Sequence, residues 1–468
     1  MLTYSLLKNS SDPLYISLCR SLRNDIRKGV LKAGERLPSK RTFAANLGIS
    51  VITVENAYAR LCDEGYVFSM PKRGYYVSDL KNLPVKTVTA EAADGKCPEN
   101  EQYDQKLMAD FRSNGADPES FPFKIWSQTM RAVLHDKQEL LLKNSPPGGV
   151  RELREAVAAH LKGFHGMEVN PAAIVIGAGT EYLTGLVIQL LGFNRVYARE
   201  DPGYSRNASV YKSYNVKSVA VSVDECGLRA DLLKNTEASV VQISPSHQFP
   251  SGAVMPVSRR YELLSWASAA EDRYIIEDDY DSEFRLSGRP LASLQSIDAD
   301  GRVIYMNTFT KSLASTVRIG YMILPDKLMR RFYERLGFYS CTVPNFDQYA
   351  LAAFISSGSF ELHIGRMRRL CEQKRRMLLE CINNSSLKKR CTVENSKSGL
   401  HFLLRVHTAL SDEECCKRAL AQGVGISALS SFYERPSQAP CHVFVMSYTS
   451  VDLKRMQKAV EALASALI

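Results

Sequence analysis

Between residues 170 and 325 short apolar runs alternate with helix-forming stretches, and that alternation leaves few architectures open. Ala173-Ile174-Val175-Ile176 has the composition of a buried strand, and Gly177-Ala178-Gly179-Thr180 then opens a helix from Glu181 to Leu191. Tyr274-Ile275-Ile276 and Val303 to Met306 are two more strands of the same kind. Strands separated by helices fit a mostly parallel sheet with crossover helices. In such sheets ligands sit at the carboxyl ends of the strands, so the residues that follow each apolar run carry the functional question.

Two of those strand ends are chemically loaded. After Val303–Met306 the chain reads Asn307-Thr308-Phe309-Thr310-Lys311-Ser312-Leu313 and continues to Arg318-Ile319-Gly320-Tyr321. Two hydroxyls, Thr308 and Thr310, precede the Lys311 amine, and the Arg318 guanidinium follows seven residues later. That set suits a lysine forming a Schiff base with an aldehyde cofactor that also bears a phosphate. Upstream, Tyr274-Ile275-Ile276 ends in Glu277-Asp278-Asp279-Tyr280-Asp281. An acid at such a strand end can pair with a protonated pyridine nitrogen, and a nearby phenol can reach the ring oxygen. Taken alone, Lys311 is more simply a surface lysine and the acidic run a solvated loop. The two runs together, in this order, weigh against that.

From about Asp110 to the C-terminus the sequence resembles a fold-type I, pyridoxal-phosphate-dependent aminotransferase. Its wording at Ser244-Pro245-Ser246-His247-Gln248-Phe249-Pro250-Ser251-Gly252 and at Glu277-Asp278-Asp279-Tyr280-Asp281-Ser282-Glu283-Phe284-Arg285 is similar to that of the MocR group of bacterial regulators. Those proteins join such a domain to a GntR-type winged helix. The resemblance implies a multidomain α/β chain: a winged helix-turn-helix over 1–79, a linker over 80–106, a pyridoxal-phosphate-binding large α/β domain over 107–325, and a smaller α+β domain over 326–468.

The first eighty residues are consistent with that. Leu14, Leu18, Leu22 and Ile26 recur every four residues, which predicts a helix from Pro13 to Val30 with Gly29 closing it. Ser39 is placed to cap a short helix ending at Leu47, and Ser50 to cap a third from Val51 to about Glu64. Gly65-Tyr66-Val67-Phe68 and Gly74-Tyr75-Tyr76-Val77 read as a two-stranded wing. Leu37-Pro38-Ser39-Lys40-Arg41-Thr42-Phe43-Ala44 and Ser50-Val51-Ile52-Thr53-Val54-Glu55-Asn56-Ala57-Tyr58 closely resemble the GntR family. Such domains place the third helix in the major groove and the wing against the minor groove. By that resemblance Arg36, Ser39 and Arg41 hold phosphates or base edges. Ser50, Thr53 and Asn56 face the groove floor, and Lys72, Arg73 and Gly74 form the wing tip. Val54, Ala57, Tyr58 and Leu61 are the buried face of the helix. Val51 stands where the family often has Arg. Residues 1–80 hold 12 Lys/Arg against 7 Asp/Glu, half of the chain's net charge of +10. That modest basicity suits a polyanion partner.

Composition closes off other classes. No apolar run approaches the roughly 18–20 residues of a membrane helix, and Met1-Leu2-Thr3-Tyr4 opens no signal peptide. Eleven Cys lie scattered without C-x-x-C pairs or His partners at metal spacing, which suits reduced thiols in a cytoplasm and neither a disulfide framework nor a metal site. From Asp79 to about Lys106 the chain is rich in small and charged residues, with Pro84, Gly95 and Pro98, and reads as a flexible linker.

Within the resemblance, Gly179 and Thr180 join Thr308, Thr310 and Arg318 around the cofactor phosphate, at a helix N-terminus whose N–H groups favour an anion. Tyr204 matches the aromatic that stacks on the pyridine ring, and Arg206 faces the effector side. His247 or Gln248 approaches the ring oxygen together with Tyr280. Asn144-Ser145 replaces a Tyr-Gly that commonly contacts the phosphate across a dimer. Aminotransferases of this class carry a carboxylate-binding Arg at the head of the late strand; here that position falls near Cys441-His442, with Arg435 the nearest candidate. The basic helix Arg366 to Cys381 is a solvated face where the small domain begins. Together these features imply a cytoplasmic, homodimeric regulator that binds promoter DNA and senses pyridoxal phosphate, an amine or an amino acid through Lys311. An aminotransferase with an accessory DNA-binding module is the alternative, and a cofactor-free scaffold the third reading.

Overall fold

The computed structural model describes Tyr4 and residues 13–79, 107–112, 120–284, 291–395 and 399–468. The expected linker, the stretch 113–119 and Arg285 lie outside the described residues. The chain divides into two compact units, Met1–Tyr103 and Asp104–Ile468.

In the first unit α1 (Leu14–Arg27) buries Leu18, Cys19, Leu22 and Ile26, and Gly29 at φ 72 turns the chain out of the helix. The helix α2 (Lys40–Leu47) ends at Gly48, whose φ of 64 only glycine adopts without strain. A short turn and the Ser50 cap lead into α3 (Val51–Asp63), which buries Val54, Ala57, Tyr58 and Leu61. The Tyr58 hydroxyl, carried into that core, donates to Pro38 O at 2.9 Å and so satisfies its own burial. The strands β1 (Val67–Met70) and β2 (Gly74–Val77) pair antiparallel. The first strand starts two residues later than its sequence suggests, because Gly65 at φ 76 ends α3 and Tyr66 is used in the turn.

The second unit begins with β3 (Ala109–Asp110). Eight strands then build one sheet: β4 (Ile174–Gly177), β5 (Val196–Asp201), β6 (Lys217–Asp224), β7 (Gly227–Leu228), β8 (Val240–Ile243), β9 (Tyr274–Asp278), β10 (Val303–Thr308) and β11 (Gly320–Ile323), in the order β4-β11-β10-β9-β8-β5-β6-β7. Strands β10, β9, β8, β5 and β6 run parallel. β11 runs against both its neighbours, β10 and β4. The period of two sorts the side chains cleanly. Ile276, Ile304 and Met306 face one layer, with Leu183 of the helix Thr180–Leu191 and Phe332 of the helix Asp326–Leu336. Ile275 and Val303 face the other, against Leu263 and Trp266.

A second, antiparallel sheet follows from β12 (Cys391–Glu394) and β13 (His401–Val406). β14 (Val424–Gly425) leaves that sheet and pairs in parallel with β3. β15 (Ser427–Ala428) and β16 (Val443–Ser447) complete it, in the order β12-β13-β16-β15. The residues around Phe111 therefore run beside the C-terminal sheet, where Ser447 N–H donates to Phe111 O at 2.9 Å. The helix Asn345–Ser356, past the expected boundary at 325, packs on Arg151–His165.

Candidate functional site

On the first unit Arg36, Ser39, Arg41, Ser50 and Asn56 are exposed or half-buried, and Thr53 is half-buried. Ser39 Oγ accepts the Thr42 N–H at 3.2 Å, and Ser50 Oγ accepts the Thr53 N–H at 3.1 Å. Both serines thus act first as N-caps, fixing the amino ends of α2 and α3. Lys72 at φ 64 and Gly74 at φ 110 turn the wing, with Lys72 and Arg73 exposed at its tip. Arg36 bridges to Tyr76, and a Cβ built on Gly74 would lie 3.4 Å from its Nε, so Arg36 lies against the wing rather than apart from it. Sequence reasoning passed over Ile52, which is 68% exposed beside Val51 at the amino end of α3.

In the second unit the sheet register assembles the lysine site. Thr308 is opposite Gly320, and Gly320 is opposite Gly177. Because β11 is antiparallel, its amino end lies among the carboxyl ends of β4 and β10. That brings Gly179 and Thr180, Thr308 to Lys311, and Arg318 to one edge. Thr308 caps the short helix Phe309–Ser312 by accepting the Thr310 N–H at 3.2 Å, and the two hydroxyls lie 2.7 Å apart. His363, from the long helix Ser359–Asn383, donates from Nε2 to Ser312 O at 2.7 Å and pins the turn just after the lysine. Burial lowers the Lys311 amine to about 8, with Asp281 opposing and Arg206 adding to the fall. Gly179 sits at φ 94, and a Cβ there would lie 2.7 Å from Arg318 Nη2, so only glycine admits the guanidinium so close.

Asp278 and Asp279 leave β9 on opposite faces. Asp279 accepts the Tyr305 hydroxyl at 2.6 Å inside the core. Asp278 Oδ1 and Asp279 Oδ1 are both sealed from solvent without a hydrogen-bond partner. Burial, reinforced by the charges of Asp279 and Asp281, raises the Asp278 carboxyl to about 7, while Gln242 beside it pulls the other way. Gln242 is oriented in turn by the Tyr211 hydroxyl, which donates to its Oε1 at 2.7 Å. Sequence reasoning missed Gln242, although a lone amide in the apolar strand Val240-Val241-Gln242-Ile243 was the available signal.

His247 Nδ1 lies 2.9 Å from Asp281 Oδ2 and 3.2 Å from the Tyr280 hydroxyl. A carboxylate accepts, so Nδ1 carries the hydrogen. Gln248 is turned into its own loop: Nε2 donates to Pro202 O at 2.8 Å and Phe249 O at 2.7 Å, and Oε1 accepts the Ser251 N–H at 3.0 Å. Of the two residues the sequence left open, His247 is the one beside Tyr280, and Gln248 braces the turn. Tyr204 precedes the helix Ser205–Ser213, with Phe249 edge-on at 6.1 Å and the Arg206 guanidinium 5.9 Å from its ring centroid. Arg206 Nη1 and Arg318 Nη2 lie 3.4 and 3.1 Å from the two oxygens of Glu181.

Residues 14–77 match the family model described as bacterial regulatory proteins, gntR family. Over 460 residues the chain is 35% identical to the uncharacterized HTH-type transcriptional regulator YdeL of Bacillus subtilis (strain 168), covering 97% of this chain and 96% of that protein. It is 30% identical to the probable rhizopine catabolism regulatory protein MocR of Rhizobium meliloti, over 98% of this chain and 95% of the relative. The chain belongs to the MocR-type, GntR-family regulators. This regulator also superposes on an archaeal alanine:glyoxylate aminotransferase with a TM-score of 0.70 at 24% identity, over 79% of this chain and 92% of that one. At that identity the likeness is one of fold. The regulator is a DNA-binding transcriptional regulator whose second unit has the aminotransferase architecture.

One aminotransferase element is replaced. The regulator's β16 is apolar where a carboxylate-binding Arg is expected, with Val443 and Val445 packed against Leu403, Leu429, Phe249 and Phe432. His442, at φ 62, donates its N–H to Asp412 Oδ1 at 2.7 Å. Arg435 is exposed, but its segment runs along the Tyr204 turn: Gly203 N–H donates to Phe432 O at 3.2 Å and Glu434 N–H to Asp201 Oδ1 at 2.9 Å. Ser145 is engaged by Gln348 Nε2 at 2.9 Å. Among the described residues no helix is long and apolar enough to cross a membrane, and no cluster of His, Cys, Asp or Glu is arranged to hold a metal ion.

Proposed function

We propose that the regulator binds pyridoxal phosphate at Lys311 and uses the occupied site to sense an amine, an amino acid or the cofactor itself, passing the state of the site to its DNA-binding unit in the cytoplasm. The observation that carries this reading is the placement of Asp278, a buried carboxyl at the carboxyl end of the strand next to the one that delivers Lys311. A buried carboxylate without a cation is costly, and a protonated ring nitrogen supplies one. The other parts fit the same group. Gly179, Thr180, Thr308, Thr310 and Arg318 offer donors to a phosphate, Tyr280 with His247 offers a phenol to the ring oxygen, and Tyr204 offers a face to the ring. When bound, pyridoxal phosphate supplies a carbonyl that condenses with amines and a ring that withdraws electrons. The protein's share is to lower the proton affinity of Lys311 and to hold Asp278 against the ring nitrogen.

Homodimerisation is part of the reading. Phe123, Leu142, Phe338 and Leu362 of the second unit are large apolar side chains left 67–83% exposed, and a second copy packed over any of them would remove that apolar surface from water. Borohydride reduction in the presence of pyridoxal phosphate, followed by peptide mapping, tests the cofactor site. Label on Lys311 is expected, and label on another lysine, or on none, ends the reading. Promoter-DNA affinity measured with and without pyridoxal phosphate, then with candidate amines, tests the sensing step.

A further inference from the structure

The anion cradle beside Lys311 already holds an anion, and it belongs to the protein. Glu181 is the second residue of the helix Thr180–Leu191, where backbone N–H groups and the helix dipole favour negative charge. Its carboxylate is drawn to its own N–H, and its Oε2 and Oε1 reach Arg318 and Arg206 at 3.1 and 3.4 Å. A glutamate in a first turn is commonplace. Here, however, one carboxylate takes the helix-end donor and both guanidiniums that face the lysine edge. Although burial pushes the Glu181 carboxyl up, its own N–H, Arg318 and Arg206 bring it below the usual range.

The two arginines are held differently. Arg318 is also bound to Ala178 O at 3.1 Å and backs onto Gly179, so its position is set by the backbone. Arg206 has a 65% exposed side chain and lies against Glu181 and the Tyr204 ring. A phosphate seated on Arg318 and the helix N-terminus takes the same donors as Glu181 and repels it. The carboxylate must then leave Arg318, and whatever it does next alters Arg206.

We propose that Glu181 is a positioning residue that couples two anion sites: it competes with the cofactor phosphate for Arg318 and, through the same carboxylate, holds the effector-facing Arg206. The inference rests on the reading that pyridoxal phosphate binds at Lys311, and deepens it. Cofactor occupancy sets how Arg206 is held, so the site presents a differently restrained guanidinium to an effector anion once the cofactor is in place. The ligand class selected at Arg206 is an anionic group, carboxylate or phosphate, carried by the effector.

The test uses the full-length protein and two probes, pyridoxal phosphate and pyridoxal, which lacks the phosphate. Dissociation constants are read from absorbance titrations for the wild type, Glu181→Gln, Arg206→Gln and the double variant. Glu181→Gln should tighten pyridoxal phosphate by about three- to fivefold, as for a partly exposed ion pair, and leave pyridoxal within about twofold. Arg206→Gln should weaken pyridoxal phosphate by about threefold while Glu181 is present, because the carboxylate then turns wholly to Arg318. When combined with Glu181→Gln, the same change should weaken it by less than about twofold. Additive effects, or equal shifts for both probes, overturn the coupling. If Glu181→Gln misfolds, as judged by its melting midpoint, Glu181→Met replaces it, and the same outcomes apply. Failure of the wild type to bind pyridoxal phosphate at Lys311 ends the cofactor reading and this inference with it. Binding at Lys311 with an indifferent Glu181→Gln ends this inference alone.

Discussion

Asp278 closes β9 and Asp279 follows it, and the two cannot do the same work. Asp278 lies beside the strand that delivers Lys311, while Asp279 accepts the Tyr305 hydroxyl in the core. Asp278→Asn should therefore raise the pyridoxal phosphate dissociation constant by about tenfold or more, the cost of a lost charge-assisted pair. Asp279→Asn should instead lower the unfolding free energy by about 1–3 kcal/mol with a smaller change in affinity; chemical denaturation and absorbance titration separate the two. The pH dependence follows from the same residues. Asp278, raised to about 7, must lose its proton to pair with a protonated ring, and Lys311, lowered to about 8, must lose its proton to add to a carbonyl. Both requirements favour higher pH, so stopped-flow capture of the cofactor should accelerate from about pH 6 and level off above about pH 9. In Asp278→Asn the lower limb should vanish. The acidic run and the placing of Asp278 on the ring nitrogen were legible in the sequence, which left Asp279 open because strand alternation assigns faces only once the sheet is placed. Gln242 and Glu181 were illegible for a related reason: what makes them functional is a partner brought from a distant segment.

At the scale of elements, the winged unit was the most legible part of the chain. Local signals, the four-residue spacing of Leu14 to Ile26 and the capping serines, decide helices without reference to the rest of the fold, and α2 matches its expected span. The wing shifted because Gly65 serves α3 before it serves a strand. Ser50→Ala should cost the unit about 1 kcal/mol through the lost cap, measurable by melting residues 1–79 alone. Arg41→Ala, at an exposed position on α2, should reduce the log–log salt slope of DNA binding by roughly 0.9, and an unchanged slope removes Arg41 from the phosphate contacts. The helix Ser359–Asn383 was legible as basic but not as a support. Its Lys374 is buried with Nζ on Thr449 O at 2.7 Å, and Arg368 lies 4.8 Å from the Phe164 ring centroid. A charge run in sequence gives no sign of which cations the packing will absorb.

At the scale of the whole molecule, the proposed dimer would carry two winged units on the linkers expected from the sequence and so read two half-sites, with affinity gained through effective concentration. Shifting half-site spacing by half a helical turn, about 5 base pairs, should then weaken binding less than deleting one half-site does, as gel-shift titration would show. The antiparallel β11 governs a different matter, the order in which the molecule can be completed. Among the described residues β4 pairs with β11 alone, so the first strand of the large sheet to leave a ribosome has no ladder partner until residues 320–323 follow. At roughly 5–20 residues per second that wait lasts on the order of ten seconds or more. The glycine turn after β4 waits with it, since Arg318 arrives just ahead of β11. On the proposed cofactor reading, a nascent chain lacks Arg318 and a paired β4 until the sheet closes, and a chain arrested before residue 318 should leave 174–177 open to protease. Retention of the cofactor would then mark a finished sheet, and incomplete chains would stay silent to the signal that complete ones read.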